Sequence, residues 1–557
     1  MKKYFIAFAL LLAIVSYPQK SQPVKVTYAR NSNGKLVENQ DLIIVFASAA
    51  GSQISSDKIQ SGKASIPYEK SNIDIASSRI TQTGFIAPNK SVRTIDSISL
   101  AKQTLELLPD TKKILGYNCK KAKTVINSNT IEIWYTNDLG VFGAPSSLGQ
   151  KLGLVLETVR NGNFSITATK VEKLKKLPEA ENTKSLQPIV DALTYRDAIW
   201  KSRFKTIEIF KKEIVNFSGE SKSNDSILRF ANGTIIVKKV KLPEIAKGSQ
   251  VFVDVTEQSN GDAYDRTGSV FLIPTDAKLT FLDGLQSGAD KLPIYENGNG
   301  KKYQGVVKTP DYEPLLELMR FFTPFGVSQY NNLKLKNKVW QDSVMYRQDI
   351  SDFIPRLSDK EVYIGLNIGN YDKGGHKASV NITIHPEEAT AGKPETTVIA
   401  LFNTNNVMEM AGQEYGTMFS SDKGVEVTFE IATKLKNAKL RYITTGHGGW
   451  ENGDEFVPKK NTIHLDQKEV FSFTPWRTDC GSYRLSNPAS GNFENGLSSS
   501  DYSRSNWCPG TTTNPIWIDL GDLEAGTHTV KVKIPLGANE GTSFSAWNVS
   551  GVLIGEK

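Results

Sequence analysis

Carboxylates, a guanidinium and flat aromatic faces crowd one stretch of this sequence. Together they are the groups that hold a sugar and hydrolyse a bond attached to it. Between Thr444 and Gly510 the chain reads TTGHGGWENGDEF, then PWRTDCGSYRL, then SRSNWCPG, and it contains His447, Glu455, Arg504, Trp450, Trp476 and Trp507. A second acidic loop, SNGDAYDRTGSVFLI at 259–273, sets Asp262, Asp265 and Arg266 just ahead of an apolar run. In each loop a carboxylate sits at the start of a strand, where the sheet holds the backbone and the side chain can face a cleft. Hydrolysis of an unactivated bond needs a base for water and groups that stabilise developing oxyanion charge. A carboxylate beside an arginine stays ionised near neutral pH and can be that base. On spacing alone, Asp and Glu ahead of a strand are most often solvated turn residues.

His447, Glu455 and His464 invite a metal reading. Their spacing is not that of a helical HExxH pair and no cysteine ligand is near, so the expectation is no metal. Tryptophans in such a chain usually fill a core. Trp450 and Trp507 stand in loops beside Gly and Asn, which makes them candidates for sugar-stacking faces.

The elements that must position these loops read as β-structure. SVNITI (379–384), VEVTFEI (425–431) and TVKVKIPL (529–536) alternate with period two, and long Gly/Asn/Ser-rich loops join them. Such a pattern implies sandwich or jelly-roll layers. The chain of 557 residues is too long for one core. The reading is therefore all-β: a strand-rich N-terminal domain at 20–175, a linker with a helical segment at 176–204, and two adjacent antiparallel jelly-roll sandwiches at 205–388 and 389–557. An interface between two sandwiches is a natural place for a cleft.

Lys2 and Lys3 followed by the apolar run Phe5–Val15 read as a signal peptide over 1–19, too short to span a bilayer. Export to the periplasm or medium is expected. No other segment approaches the length of a membrane span. The net charge of +8 is spread along the chain, with one dense basic run at Lys173–Lys176, so neither nucleic acid nor membrane is an expected partner. A monomer is expected. Export permits a disulfide, and a bridge between Cys480 and Cys508 would contribute about 3 kcal/mol by chain entropy. Cys119 is then the odd thiol.

Two resemblances go further. ILGYNCKKA (114–122), IEIWYT, the segment 143–145 and LGLVLE (152–157) look like a small exported GLPGLI-type β domain over about 24–175. Residues from about 205 onward resemble the bacterial peptide:N-glycosidase F family, and most closely its longer F-II type. Tyr264-Asp265-Arg266, FFTPF (321–325), TTGHGGWENGDEF, and Arg504 with Trp507-Cys508-Pro509-Gly510 match its landmarks in order.

The resemblance implies an amidase that cuts between asparagine and the first N-acetylglucosamine of glycoproteins and glycopeptides, with no cofactor. It implies Asp265 and Glu455 as catalytic residues. Tyr264, Arg266, His447, Trp450, Arg504 and Trp507 would contact substrate, and Cys480 would bond Cys508. Asn367, which falls where the family carries a second glutamate, is a further substrate-binding candidate. Small residues at Gly369-Asn370 and Gly446-His447 replace expected tryptophans, which suggests room for a core α1,3-linked fucose. A glycan-binding jelly roll without activity, or a two-carboxylate glycoside hydrolase, are the alternatives.

Overall fold

The computed structural model describes residues 21–178, 189–330, 334–386, 394–405, 414–448, 452–488 and 498–557. The expected signal segment and Trp450 lie outside them. The protein is all-β, and its chain divides into two compact units, Met1–Arg203 and Phe204–Lys557. Among the described residues no helix is long and apolar enough to cross a membrane.

The first unit is built on one 12-stranded sheet. Its first strand, Val24–Ser32, turns Val24, Val26 and Tyr28 inward by simple alternation. The helix Ala192–Lys201 belongs to this unit. Asp191 caps it by accepting from Leu193 N and Thr194 N, and its buried face places Tyr195 and Ile199 against Val92. The Tyr195 hydroxyl donates to Glu69 at 2.8 Å. The helical part of the expected linker is therefore docked on the sheet, because it carries an apolar stripe that needs cover.

Strands of the second unit are numbered from its start. A four-stranded sheet has the order β1 (Lys205–Val215), β9 (His376–His385), β4 (Gln250–Ser259), β7 (Ser343–Asp349). It packs on a six-stranded sheet ordered β2 (Leu228–Phe230), β3 (Ile235–Lys241), β8 (Glu361–Ile368), β5 (Thr267–Ile273), β6 (Leu316–Phe322), β15 (Thr512–Thr513). The second sandwich pairs β10 (Thr396–Asn403), β18 (Ala546–Glu556), β12 (Leu435–His447), β16 (Ile516–Leu523) with β11 (Val425–Ile431), β17 (Gly526–Lys533), β13 (Asn461–Leu465), β14 (Lys468–Phe473). All the neighbouring strands named here run antiparallel. The two jelly rolls lie side by side within this unit, and one core cluster runs from Val253 and Leu318 to Val398 and Val552.

Burial patterns separate outer strands from seam strands. β11 alternates strictly, its valines, Phe429 and Ile431 inward. In β6 every residue is buried, because the first core covers one face and the second sandwich the other. That enclosure takes in Glu317 and Arg320, which therefore need partners. Arg320 donates to Glu317 through Nε at 2.9 Å and Nη2 at 2.7 Å. Its Nη1 crosses the seam to the Asn548 carbonyl at 2.7 Å and Thr445 Oγ1 at 3.0 Å. Ser550 and Ser269 hydroxyls donate to the same glutamate, and Arg441 donates to the carbonyls of Glu317 and Leu318.

Breaking this pair leaves a buried charge, so Arg320→Met should cost about 3–5 kcal/mol. Removing both charges in Glu317→Gln/Arg320→Met should cost less than the single change. Denaturant unfolding of both variants measures the difference.

Candidate active site

The Asp265 loop joins β4 to β5, and its backbone is pinned on both sides. Arg266 N donates to Thr323 Oγ1 at 2.8 Å, Thr323 N returns a bond to the Arg266 carbonyl at 2.9 Å, and Gly326 N donates to the Ala263 carbonyl. The FFTPF run is thus the clamp that holds Asp265 at the strand start. Asp262 is enclosed and takes Arg266 in a forked pair, Nε at 2.6 Å and Nη2 at 3.0 Å. Burial opposes its charge, yet His376 and Arg266 hold its carboxyl well below the usual range.

Glu455 stands in the loop after β12. That loop turns at Gly448, whose φ of 75° suits glycine. A Cβ at Gly448 would fall 1.5 Å from the Phe544 carbonyl oxygen, so no other residue fits the turn. The neighbouring Asp454 is a buried anchor: Trp547 Nε1 donates to it at 2.9 Å and Gly537 N at 3.0 Å. Ser505 N donates to the Glu455 carbonyl at 2.9 Å, which ties this loop to the segment carrying Arg504.

Arg504 brings the loops together. Its Nη1 donates to Asp265 Oδ2 at 3.2 Å and to Glu455 Oε1 at 2.5 Å, and its Nη2 to the Ser499 carbonyl. The side chain is 1% exposed, whereas those of Asp265 and Glu455 keep 16% and 20%. The guanidinium is therefore enclosed, while both carboxylates keep some contact with solvent. It lies 4.3 Å from the Trp507 ring centre and 5.0 Å from that of Phe456. Its backbone forms an antiparallel bridge with Arg477, at 2.8 and 2.9 Å. The Cys480–Cys508 disulfide closes the segment between them, Cα atoms 5.1 Å apart.

One cation cannot neutralise two carboxylates. Burial pushes the Asp265 carboxyl up, with Arg504 and Arg266 opposing. Burial likewise raises Glu455 to about 7, Arg504 offsetting and Asp265 adding to the rise. The pair can hold or release a proton near neutrality.

The remaining predicted residues divide. Tyr264, next to Asp265 in the chain, is 55% exposed, with Arg266 5.3 Å over its ring. Arg266 itself is spent on Asp262. Trp507 is only 4% exposed: it stacks on Phe322 at 4.2 Å and donates through Nε1 to the Gly446 carbonyl. It backs the guanidinium and offers no sugar-stacking face. His447 is buried beside it with Nε2 hydrogen-bonded to Thr445 Oγ1 at 2.7 Å, and burial together with Arg320 and Arg504 pushes its pKa down to about 3. Asn367 donates to the Thr234 carbonyl at 3.1 Å and bonds neither carboxylate. Gly446 opens no space, because a Cβ there would lie 2.7 Å from the Asp454 carbonyl oxygen.

Among the described residues no three His, Cys, Asp or Glu side chains gather as a metal site. A cavity of about 650 Å³ lined by Arg347, Arg477, Tyr483 and Thr511 contains none of the predicted residues. Sequence reading left Thr323, Asp454 and Arg477 without roles. Only the match of FFTPF hinted at the first.

A carboxylate able to take a proton, held beside a second one on a shared guanidinium, is what a hydrolase needs to activate water, and the two-sandwich seam puts this protein in that class. Comparison carries the class to a family. Residues 26–197 match the model of the N-glycanase peptide N-terminal domain, 206–384 that of the peptide-N-glycosidase F N-terminal domain, and 414–554 that of its C-terminal domain. A structure of PNGF-II in space group C2 is 55% identical with a TM-score of 0.87, covering 96% of this chain and 98% of its own. Another in space group P21 is 56% identical with a TM-score of 0.90, covering 96% and 100%. No curated protein sequence matches. The chain belongs to the peptide:N-glycosidase F family.

The Glu455 shift sets a stability prediction. Its carboxyl is raised from 4.5 to about 7, so the folded state keeps a proton that the unfolded chain has released. The stabilisation is whole below the unfolded pKa and is lost as pH rises through about 7. Denaturation of wild type and Glu455→Gln between about pH 5 and about pH 8 should show the difference moving in favour of the variant as pH rises. A constant difference contradicts the shift.

Proposed function

We infer that this enzyme is an exported peptide:N-glycosidase that hydrolyses the side-chain amide between asparagine and the first N-acetylglucosamine of N-linked glycoproteins and glycopeptides. The observation that carries the residue roles is Arg504 Nη1, bonded at once to Asp265 and Glu455. Asp265 takes a proton from water as its oxygen bonds to the amide carbon. Arg504 opposes the rise that burial imposes on Asp265 and stabilises charge in the tetrahedral state. The carbon–nitrogen bond then breaks, and the proton held by Asp265 passes to the leaving nitrogen. Aspartate stays on the peptide and the glycan leaves as a glycosylamine. Glu455 accepts hydroxyl or amide protons of the first sugar and holds the far side of the same guanidinium. Tyr264 supplies the exposed aromatic face. Glycoproteins are met outside the cell, in keeping with the apolar run at Phe5–Val15.

Three outcomes test the reading. Incubated with an N-glycopeptide, the protein should leave aspartate at the former glycosylation site, seen by mass spectrometry. A peptide that keeps one N-acetylglucosamine is a glycosidase product, and a bound but intact one is a lectin complex. Asp265→Asn should lose roughly 10³-fold or more in kcat while its unfolding transition persists, and Glu455→Gln should lose roughly 10²-fold. Finally, release from core α1,3-fucosylated glycopeptide is the finer expectation, carried by the sequence position of Gly369-Asn370, where the family has a tryptophan. Turnover confined to the unfucosylated peptide sinks that extension.

A further inference from the structure

Behind the Asp265 loop, four ionisable side chains form a chain that the steps above do not use. Glu257 stands on β4, His376 opens β9, and Asp262 and Arg266 bracket the loop. Glu257, His376 and Asp262 are enclosed. His376 Nδ1 lies 2.8 Å from Glu257 Oε1, and its Nε2 lies 3.3 Å from Asp262 Oδ2. Asp262 in turn takes the fork of Arg266.

A neutral imidazole has one N–H and cannot donate to two carboxylates. This ring faces a carboxylate at each nitrogen, so it carries two protons and a positive charge. Burial works against that charge, yet the hydrogen bonds to Asp262 and Glu257 push its pKa up to about 9. Glu257 Oε2 finds no partner among the described residues, so the imidazolium is its main compensation. The four charges alternate in sign and cancel. Other polar neighbours leave that balance intact. Tyr346 on β7 faces Glu257 and is held protonated by burial and that charge, Asp372 accepts from Gly374 N and Gly375 N, and β1 presents Val215 opposite His376.

We propose that His376 is a positioning residue: anchored by its hydrogen bond to Glu257, its charge and its second hydrogen bond fix Asp262, through it Arg266, and so the geometry and charge surroundings of Asp265. This rests on the amidase reading above. Asp265 follows Asp262 by three residues and adjoins Arg266, whose charge lowers its pKa. Loss of the imidazolium leaves one uncancelled negative charge buried behind the base. That charge disfavours ionisation of the carboxylate pair.

The test is the pH profile of kcat/KM for glycopeptide release, with melting temperatures measured alongside. His376→Gln should lower kcat by about tenfold with KM changed less than about twofold. Its acid limb should move to higher pH. Glu257→Gln, which leaves an extra positive charge, should move the limb the other way. Glu257→Gln/His376→Gln restores the charge balance and should return the limb to the wild-type position, and it carries the test if the single histidine variant does not fold. A limb that stays put in both single variants, whatever the melting temperatures, overturns the positioning role alone. A double variant displaced like His376→Gln also overturns it. A wild-type protein that releases no glycan overturns the amidase reading, and this inference with it.

Discussion

A single buried guanidinium is the constraint around which the site is built. Arg504 touches a carboxylate from each sandwich, on loops 239 and 49 residues away in sequence. A cation removed from water needs negative partners, and two carboxylates facing one cation are left with an excess charge. Burial raises both carboxyls, the Asp265 charge adding to the rise at Glu455, and a raised carboxyl is a stronger base. The cost to folding and the capacity for proton transfer are the same quantity seen from two sides. The Arg477 bridge, the Cys480–Cys508 link and the stacked Trp507 all act to keep that cation in place.

The seam between the sandwiches extends the same logic. Glu317 and Arg320 sit on a strand covered on both faces, and their hydrogen bonds run into the second sandwich through Thr445, Asn548 and Ser550. Thr445 also holds His447, which packs beside Trp507 and Phe322. Packing at the seam and placement of Arg504 are thus joined by contiguous contacts. A change of register on β12 would move both.

Much of this was legible in the sequence, at different depths. Alternation in VEVTFEI and SVNITI reports one buried face per strand, and those strands are where the pattern puts them. Seam strands such as β6 lose the pattern because both faces are covered, so nothing in the sequence marks Glu317 and Arg320 as buried. The three residues that meet at the pocket stood out by type, but only the ordered family motifs joined Asp265 to a block nearly two hundred residues on. Trp507 misled because Gly and Asn neighbours suggest exposure, whereas its ring is needed against Arg504. Asn367 was aligned by strand sequence, and its side chain is taken by the Thr234 carbonyl. His376 carries no local signal at all, since its partners come from another strand and another loop.

The central claim is that water, activated by Asp265 beside Arg504, attacks the amide carbon of the glycosylated asparagine. Reaction in water enriched in heavy oxygen tests this most directly. The account predicts the heavy atom in the new aspartate carboxyl of the peptide and none in the glycan at the moment of release. Heavy oxygen found instead at the anomeric carbon of a freshly cleaved sugar, with asparagine left intact, would contradict it.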